Sequence, residues 1–468
     1  MKKLSLALAL TLSFSAFSAE IPDKSSFGMI MHHAGKFIFG KADLKGHTFR
    51  SLGKGIHKSW KKLDREINQK VSSSQETDFL SPNYQHEFNL LTQSLESSTS
   101  QVEFLVDGES SFAKRKSLIE NAQESINLMV WAIYDDLTGK IHSDWLLESL
   151  KRNPHLKIRI LVDGPTSKDH HHHQELNRLM RESNNKIEVV QWFSKIYRAN
   201  GSHRKLFIVD SKHLIMGGLN IGDAYSHLNP EVLGWRDTDV YMNDGAALRA
   251  EEIFAQIWNE QIQENKLDVA AMSTVEKNDN GKIPVTLINH HPGSKTRSSD
   301  ANILMAYSKL IRDAKVSVDI ENAYFILNPV LRRSLKDALN RGVKIRLFTN
   351  SGTSIDEPVV SAPVLKSAKE ALGMGVEVFL RKTTTLHSKF MIIDNKVALI
   401  GSDNLHPRSQ KYEGEVVSAI FDRESAQKLT AIFNKDISEA TQIHSADEIV
   451  VKSTLISKIA SLMFFDQL

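Results

Sequence analysis

One pattern, written twice, constrains this chain more than anything else in it. Gly201-Ser202-His203-Arg204-Lys205 runs into Leu206-Phe207-Ile208-Val209-Asp210, and Leu386-His387-Ser388-Lys389 runs into Phe390-Met391-Ile392-Ile393-Asp394. Each copy is followed by small residues and an asparagine, Gly217-Gly218-Leu219-Asn220 and Gly401-Ser402-Asp403-Asn404. The histidine, lysine, aspartate, second small residue and asparagine all recur at one offset, 184 residues. A lone His-x-Lys-x4-Asp is weak evidence, whereas two copies in register from His to Asn point to a unit used twice. The period is far too long for a solenoid repeat, so the repeated unit is of domain size.

The flanking segments repeat as well. Leu118-Ile119-Glu120-Asn121-Ala122 is echoed by Leu310-Ile311-Arg312-Asp313-Ala314, and Lys157-Ile158-Arg159-Ile160-Leu161 by Lys344-Ile345-Arg346-Leu347-Phe348. Their offsets, 192 and 187, drift as differing loop lengths require. From Val102 onward, helical and strand patterns alternate: helix over 113–125, strand over 126–134, helix over 141–150, strand over 157–163. Such alternation predicts an α/β class with covered sheet faces. The expected organisation is a first lobe over 101–268, a linker over 269–300 and a second lobe over 301–445. The polar loops at 277–282 and 292–295 mark the join.

The remaining segments are less regular. Lys2 and Lys3 precede an apolar run from Leu4 to Phe14, and Ala16-Phe17-Ser18 places small side chains where a signal peptidase needs them. This reads as a signal peptide over 1–19, too short an apolar run to span a bilayer comfortably, and predicts a bacterial protein that is periplasmic or secreted. Residues 20–100 are polar, with Lys and Arg gathered between Lys36 and Lys70. They read as a solvated basic arm in which 55–71 can form a helix, a membrane- or partner-binding arm being the alternative. Residues 446–468 read as an apolar C-terminal helix packed on the second lobe. The chain has no cysteine, which excludes thiolate zinc sites and a thiol nucleophile. A formal charge of +3 does not by itself indicate a nucleic-acid groove.

The repeated pattern has a chemistry of its own. Residues i and i+2 of a strand share a face, so each His points with its Lys. The four apolar residues that follow read as a buried strand that holds the pair rigidly. Two such strands facing each other across a pseudo-twofold axis put two imidazoles and two ammonium groups around one small volume. A phosphodiester suits that volume. Lys205 and Lys389 can hold its non-bridging oxygens, with Asn220, Asn404 and Ser402 as further phosphate-binding donors. One of His203 and His387 can attack phosphorus while the other protonates the leaving oxygen. The positive charge is sufficient without a metal or other cofactor. The motifs are near-symmetric, so the nucleophile stays open, with a slight leaning to His203.

On these residues the chain resembles the two-motif phospholipase D superfamily, especially its cardiolipin synthase-like branch. The likeness runs over residues 102–441 and includes Asn220-Ile221-Gly222-Asp223-Ala224-Tyr225, Gly234-Trp235-Arg236-Asp237-Thr238-Asp239, Glu321-Asn322-Ala323-Tyr324-Phe325, the loop from Ser351 to Asp356, and Arg408-Ser409 with Glu415. The resemblance implies two tandem α/β/α lobes sharing one active site at their interface, and a covalent phosphohistidine. It implies that an acid downstream of each motif, Asp237 and Glu415, orients a catalytic His, and that Asp210 and Asp394 are more structural than chemical. Glu413 stands where the family often has Asn, which leaves open that it replaces Glu415. The expected substrate is a phospholipid at a membrane surface, with water or an alcohol as acceptor. A nuclease is the alternative and a non-catalytic binding protein a minor one. With both motifs in one chain, a monomer is expected. His170 to His173 read as a solvated loop, a transition-metal site being the alternative, and Trp131 and Tyr134 as core aromatics of a strand, the lining of a lipid entry path being the alternative.

Overall fold

The computed structural model describes residues 49–72, 76–164, 173–194, 200–273, 281–292 and 300–451. The expected signal peptide, His170–His172 and the apolar stretch from Leu455 to Phe465 lie outside the described residues.

Two mixed sheets carry the fold, and they have one topology. The first runs Val102–Val106, Thr238–Asn243, His213–Gly217, Leu206–Val209, Ser125–Val130, Lys157–Asp163, Ile187–Trp192. The second repeats that order with Ile283–His290, Glu413–Ile420, Val397–Gly401, Lys389–Ile393, Ser317–Asn322, Lys344–Thr349, Glu377–Leu380. In both, the first five strands pair antiparallel and the last three parallel. The second sheet gains an edge strand on each side, Ser97–Thr99 and Thr441–Ile443. The duplication read in the sequence is thus a duplication of sheet order. Leu206–Val209 and Lys389–Ile393 sit centrally and are buried at every residue, as the apolar runs 206–209 and 390–393, covered on both faces, require.

Helices Gly245–Asn265 and Arg423–Ser438 lie in the core that the sheets share. Phe254, Ile257 and Trp258 from one and Leu429 and Phe433 from the other join Leu206, Ile208, Val240, Leu287, Phe390, Ile392 and Val416 in a single apolar cluster. The lobes are therefore fused through a common interior. Each sheet has a further apolar layer on its outer face.

Two expectations need correction. The basic segment is no solvated arm from residue 58 onward. Helix Phe49–Ser72 buries Trp60, Ile67 and Val71, and helix Pro82–Thr92 buries Tyr84 and Phe88, all in the outer core of the second lobe. Arg333 clamps Asp64 from that lobe at 2.8 and 2.5 Å. The lysines fill only the outward face, and the stripe Trp60-Leu63-Ile67-Val71 fills the inward one. The second correction concerns the linker. Strand Ile283–His290 lies inside 269–300 and belongs to the second sheet, where Val285 and Leu287 are buried. It is the counterpart of Val102–Val106, so the second unit begins there. Among the described residues, no helix is long and apolar enough to cross a membrane.

Candidate active site

The two motif histidines and lysines meet where two very short parallel pairings stitch the lobes together. Gly201–Ser202 of the first lobe pairs with Glu413–Gly414 of the second, and Arg236 of the first with Leu386 of the second. The amide of His203 donates to Gly414 O at 2.8 Å, and that of His387 to Arg236 O at 2.7 Å. This register sets each His beside the acid of the other lobe. Nδ1 of His203 lies 3.0 and 3.2 Å from the two Glu415 oxygens and 3.1 Å from Ser402 O. Nδ1 of His387 lies 2.7 Å from Asp237 Oδ2. Chain order alone would join each acid to the motif upstream of it; the fold crosses them.

The neighbours of His203 Nδ1 include a carbonyl, which only accepts, so this nitrogen carries the proton and Nε2 is left with its lone pair. Burial, then Lys205, hold the His203 imidazolium well below its ordinary pKa, while Glu413 pulls the other way. Burial, then Lys389, Lys205 and His203, lower His387 likewise. Asp237 and Glu415 are pushed up, chiefly by burial, against the pull of Lys389 and Lys205 respectively.

Both lysines are buried. Lys205 Nζ donates to His203 O at 2.7 Å; Lys389 Nζ donates to His387 O and lies 3.0 Å from His387 Nδ1. Burial lowers Lys205 to about 7 and Lys389 to about 8, against opposing carboxylates, Glu415 foremost for Lys205 and Asp237 for Lys389. Two cations forced into a dry site favour an anionic guest that restores their charge balance.

Several expected site residues take other roles. Asp210 and Asp394 do not join the histidines. They lie at the far ends of their strands, each accepting three backbone N–H groups, from Gln123, Glu124 and Ser125 in one lobe and from Lys315, Val316 and Ser317 in the other. Seven residues separate each from its His, roughly 20 Å of extended chain. They anchor the motif strand to its neighbour. Ser402 was expected on phosphate, yet its hydroxyl donates to Glu415 Oε2 at 2.5 Å, so it positions the acid. Asn220 and Asn404 are buried, and each carboxamide oxygen lacks a hydrogen-bond partner among the described residues. Glu413 does not replace Glu415. It pairs with Arg408 Nε at 2.6 Å and accepts from Ser409 Oγ at 3.0 Å, while Ser409 also lies 2.7 Å from Glu415. Burial alone would raise Glu413, but Arg408 and His203 outweigh it and hold this carboxyl below its usual value.

Other residues join the site. Trp131 lines it rather than a core, its ring edge-on to His203 at 5.3 Å. Tyr225, Trp235 and Tyr324 wall His387 at 5.2, 5.4 and 6.2 Å. Arg236 grips Asp436 with two bonds, 2.9 and 2.5 Å, tying the first lobe to helix Arg423–Ser438. Arg204 bonds Asn289 and the His290 carbonyl at 2.7 and 2.6 Å. A Cβ on Gly414 would stand 1.9 Å from Arg204 Nη1, so only glycine lets that guanidinium cross the bridge. Gly218 has a comparable reason, since a Cβ there would meet Asp237 Oδ1 at 2.4 Å. The nearest sequence signal was the glycine of each motif tail.

His203, Glu413 and Glu415 bring ligand atoms within 4.8 Å of one another, a geometry that would admit a cation. Those atoms are already committed to one another, to Arg408 and to Ser409. Their chemistry fits a charge-balanced acid–imidazole pair better than a metal centre.

The family model described as cardiolipin synthase, PLD-like domain, matches the chain twice, at residues 116–258 and 307–437, which is more than half of its length. The major cardiolipin synthase ClsA of Bacillus subtilis is 27% identical over 341 residues, covering 72% of this chain and 68% of that protein. Cardiolipin synthase A of Pseudomonas putida is 28% identical over 354 residues, covering 74% and 70%. Among solved structures, phosphatidylserine synthase of Haemophilus influenzae superposes with a TM-score of 0.63 at 16% identity, covering 81% of this chain and 97% of that one, a likeness of fold. With both motifs in the matched segments and both sheets in one topology, the chain belongs to the phospholipase D superfamily of enzymes, in its cardiolipin synthase-like branch.

Proposed function

We propose that this enzyme moves the phosphatidyl group of a glycerophospholipid to an alcohol, such as the glycerol of another lipid, and that it works outside the cytoplasm. The observation that carries the reading is the crossed pair of acid-held histidines around two buried lysines, in a chain of this branch. Nε2 of one imidazole attacks phosphorus. The phosphorus–oxygen bond to the headgroup breaks, and the departing alkoxide takes a proton from the other imidazole. An entering alcohol then returns a proton to that second imidazole as its oxygen attacks phosphorus, and the first imidazole leaves.

The lowered pKa values fit this order. Burial and the neighbouring lysines favour the neutral form of both imidazoles, the form a nucleophile needs. The anionic phosphodiester offsets the lysine charge and raises the proton affinity of the imidazole that serves as acid. The lysines then face the oxygens on which charge builds in the transition state. The Lys2-Lys3 start and the apolar run to Phe14 support export.

The test is product analysis. Purified protein is incubated with phosphatidylglycerol vesicles, with and without added glycerol, and separately with single-stranded DNA. A phosphatidyl-transfer product that responds to glycerol is expected. Phosphatidic acid alone would make the enzyme a hydrolase, and shortened DNA with untouched lipid would favour the nuclease. The N-terminal residue of the protein recovered from the periplasmic or external fraction tests export.

A further inference from the structure

The wall of the site on the His387 side does not end inside the protein. Tyr225 and Trp235 touch at 4.8 Å, and Tyr134 leans on Tyr225 at 6.1 Å. All three pack on the apolar outer layer of the first lobe. From Trp235 the chain runs back through the exposed Leu233 and Val232, Leu233 81% exposed, into a turn whose tip is Pro230-Glu231. Leu137, on the next segment, is also exposed.

The segments that carry these exposed side chains are tied to one another. Asp223 accepts from Thr138 N at 2.8 Å and from Asn229 Nδ2 at 2.6 Å, so one carboxylate ties the start of the turn to the residue beside Leu137. Asn229 O accepts from Val232 N at 3.2 Å and closes the turn. Trp235 N donates to Ala224 O at 2.7 Å, and His227 Nε2 meets Trp235 O at 2.9 Å. The turn is braced from both ends, yet its two apolar residues point away from every core. Scattered exposed apolar residues are ordinary; adjacent ones on a braced turn, continuous with an aromatic wall that reaches a catalytic imidazole, are not.

We propose that Leu137, Val232 and Leu233 form a docking rim that inserts into the lipid bilayer, so that a phospholipid rises along the Tyr225–Trp235 wall to His387. The proposal rests on the phosphatidyl-transfer reading, because only a bilayer-borne substrate needs an apolar path from the surface to the site. The tyrosine and tryptophan rings, apolar in body and polar at one end, suit the interface behind the inserted Val232 and Leu233.

The absence of cysteine makes the test direct. In L233C, the full chain carries one polarity-sensitive fluorophore. V316C is the control: Val316 is also exposed, but it precedes strand Ser317–Asn322 at the end away from the site. Vesicles of phosphatidylglycerol and phosphatidylethanolamine are added at about 0.5 M salt, where attraction through the basic N-terminal segment is screened. A blue shift for L233C and none for V316C is expected. V232S/L233S should bind these vesicles about tenfold more weakly, the scale of losing one buried aliphatic side chain, and turn them over correspondingly less. Its turnover of a short-chain, monomeric phosphatidylglycerol should stay unchanged. No shift, equal shifts at both sites, or undiminished binding by V232S/L233S overturns the rim. A shift that follows protein concentration without vesicles makes it a contact between copies and overturns it too. Vesicle-dependent shifts with no turnover of either lipid would sink the phosphatidyl reading and leave the rim standing.

Discussion

Glu413 puts a second carboxylate beside an imidazole that already has one, and it is charged because Arg408 pairs with it. The groups facing His203 are Lys205, Lys389, Glu415, Glu413, His387 and, behind these, His406 and Arg408. Removing the negative charge in E413Q lowers the proton affinity of His203, so its limb of the kcat/KM–pH profile moves to lower pH. Removing Arg408 in R408Q takes away the cation that keeps the buried Glu413 ionised, so the same limb moves in the same direction, by less than in E413Q. A profile measured on a short-chain lipid checks both; movement to higher pH in either variant would refute the coupling. Gly218 tests position rather than charge. In G218A the new methyl pushes the Asp237 carboxylate off His387, and kcat should fall about 10- to 100-fold, as misplacement by an ångström does, with little change in Tm. At this scale the sequence was informative about chemistry and poor about partnership. His203, Lys205, His387 and Lys389 were legible because their spacing is local. The crossing of the acids was not, because Glu415 lies 212 residues from His203 and only the bridging pairs bring them together.

Among the elements, the best-read were those whose burial is written in their composition. The all-apolar runs Leu206–Val209 and Phe390–Ile393 could only be central. Strand Ile283–His290 was hidden by the polar loops on either side of it, and helix Phe49–Ser72 by its lysines, which mask a narrow apolar stripe. That helix and its neighbour Pro82–Thr92 are structural parts of the second lobe. The contact between helix Arg423–Ser438 and the first lobe was equally invisible, since Arg236 and Asp436 belong to different halves. Taking away one partner of such a buried, doubly bonded ion pair leaves the other charge stranded. D436A should therefore cost about 3–5 kcal/mol of stability, read as a lower denaturation midpoint. A midpoint unchanged from wild type would show that the pair is not holding the lobes.

At the scale of the whole molecule, the lobes cannot be read as two independent domains. They share an apolar interior, and each supplies the acid that holds the other's histidine. The site is therefore complete within one chain. Mixing the H203A chain with the H387A chain should restore none of the activity that each has lost, a loss of about 10³-fold or more for groups acting as a unit. Recovery on mixing, followed by turnover assay at rising protein concentration, would mean that lobes exchange between chains.

The crossed pairing also governs how the two copies can drift apart. After duplication, most of each half is free to diverge, as the differing loops and the second sheet's extra edge strands illustrate. The bridges are not free, because a change on one side alters the room available on the other. Arg204 lies against Gly414, and in the twin bridge Arg236 lies against Ser388, so the arginine stands between His and Lys in one bridge and before the acid in the other, both times in the first half. Changes at these contacts must be made in pairs. Descendants of this architecture should then show joint substitutions across the bridges, with each half setting what the other can become.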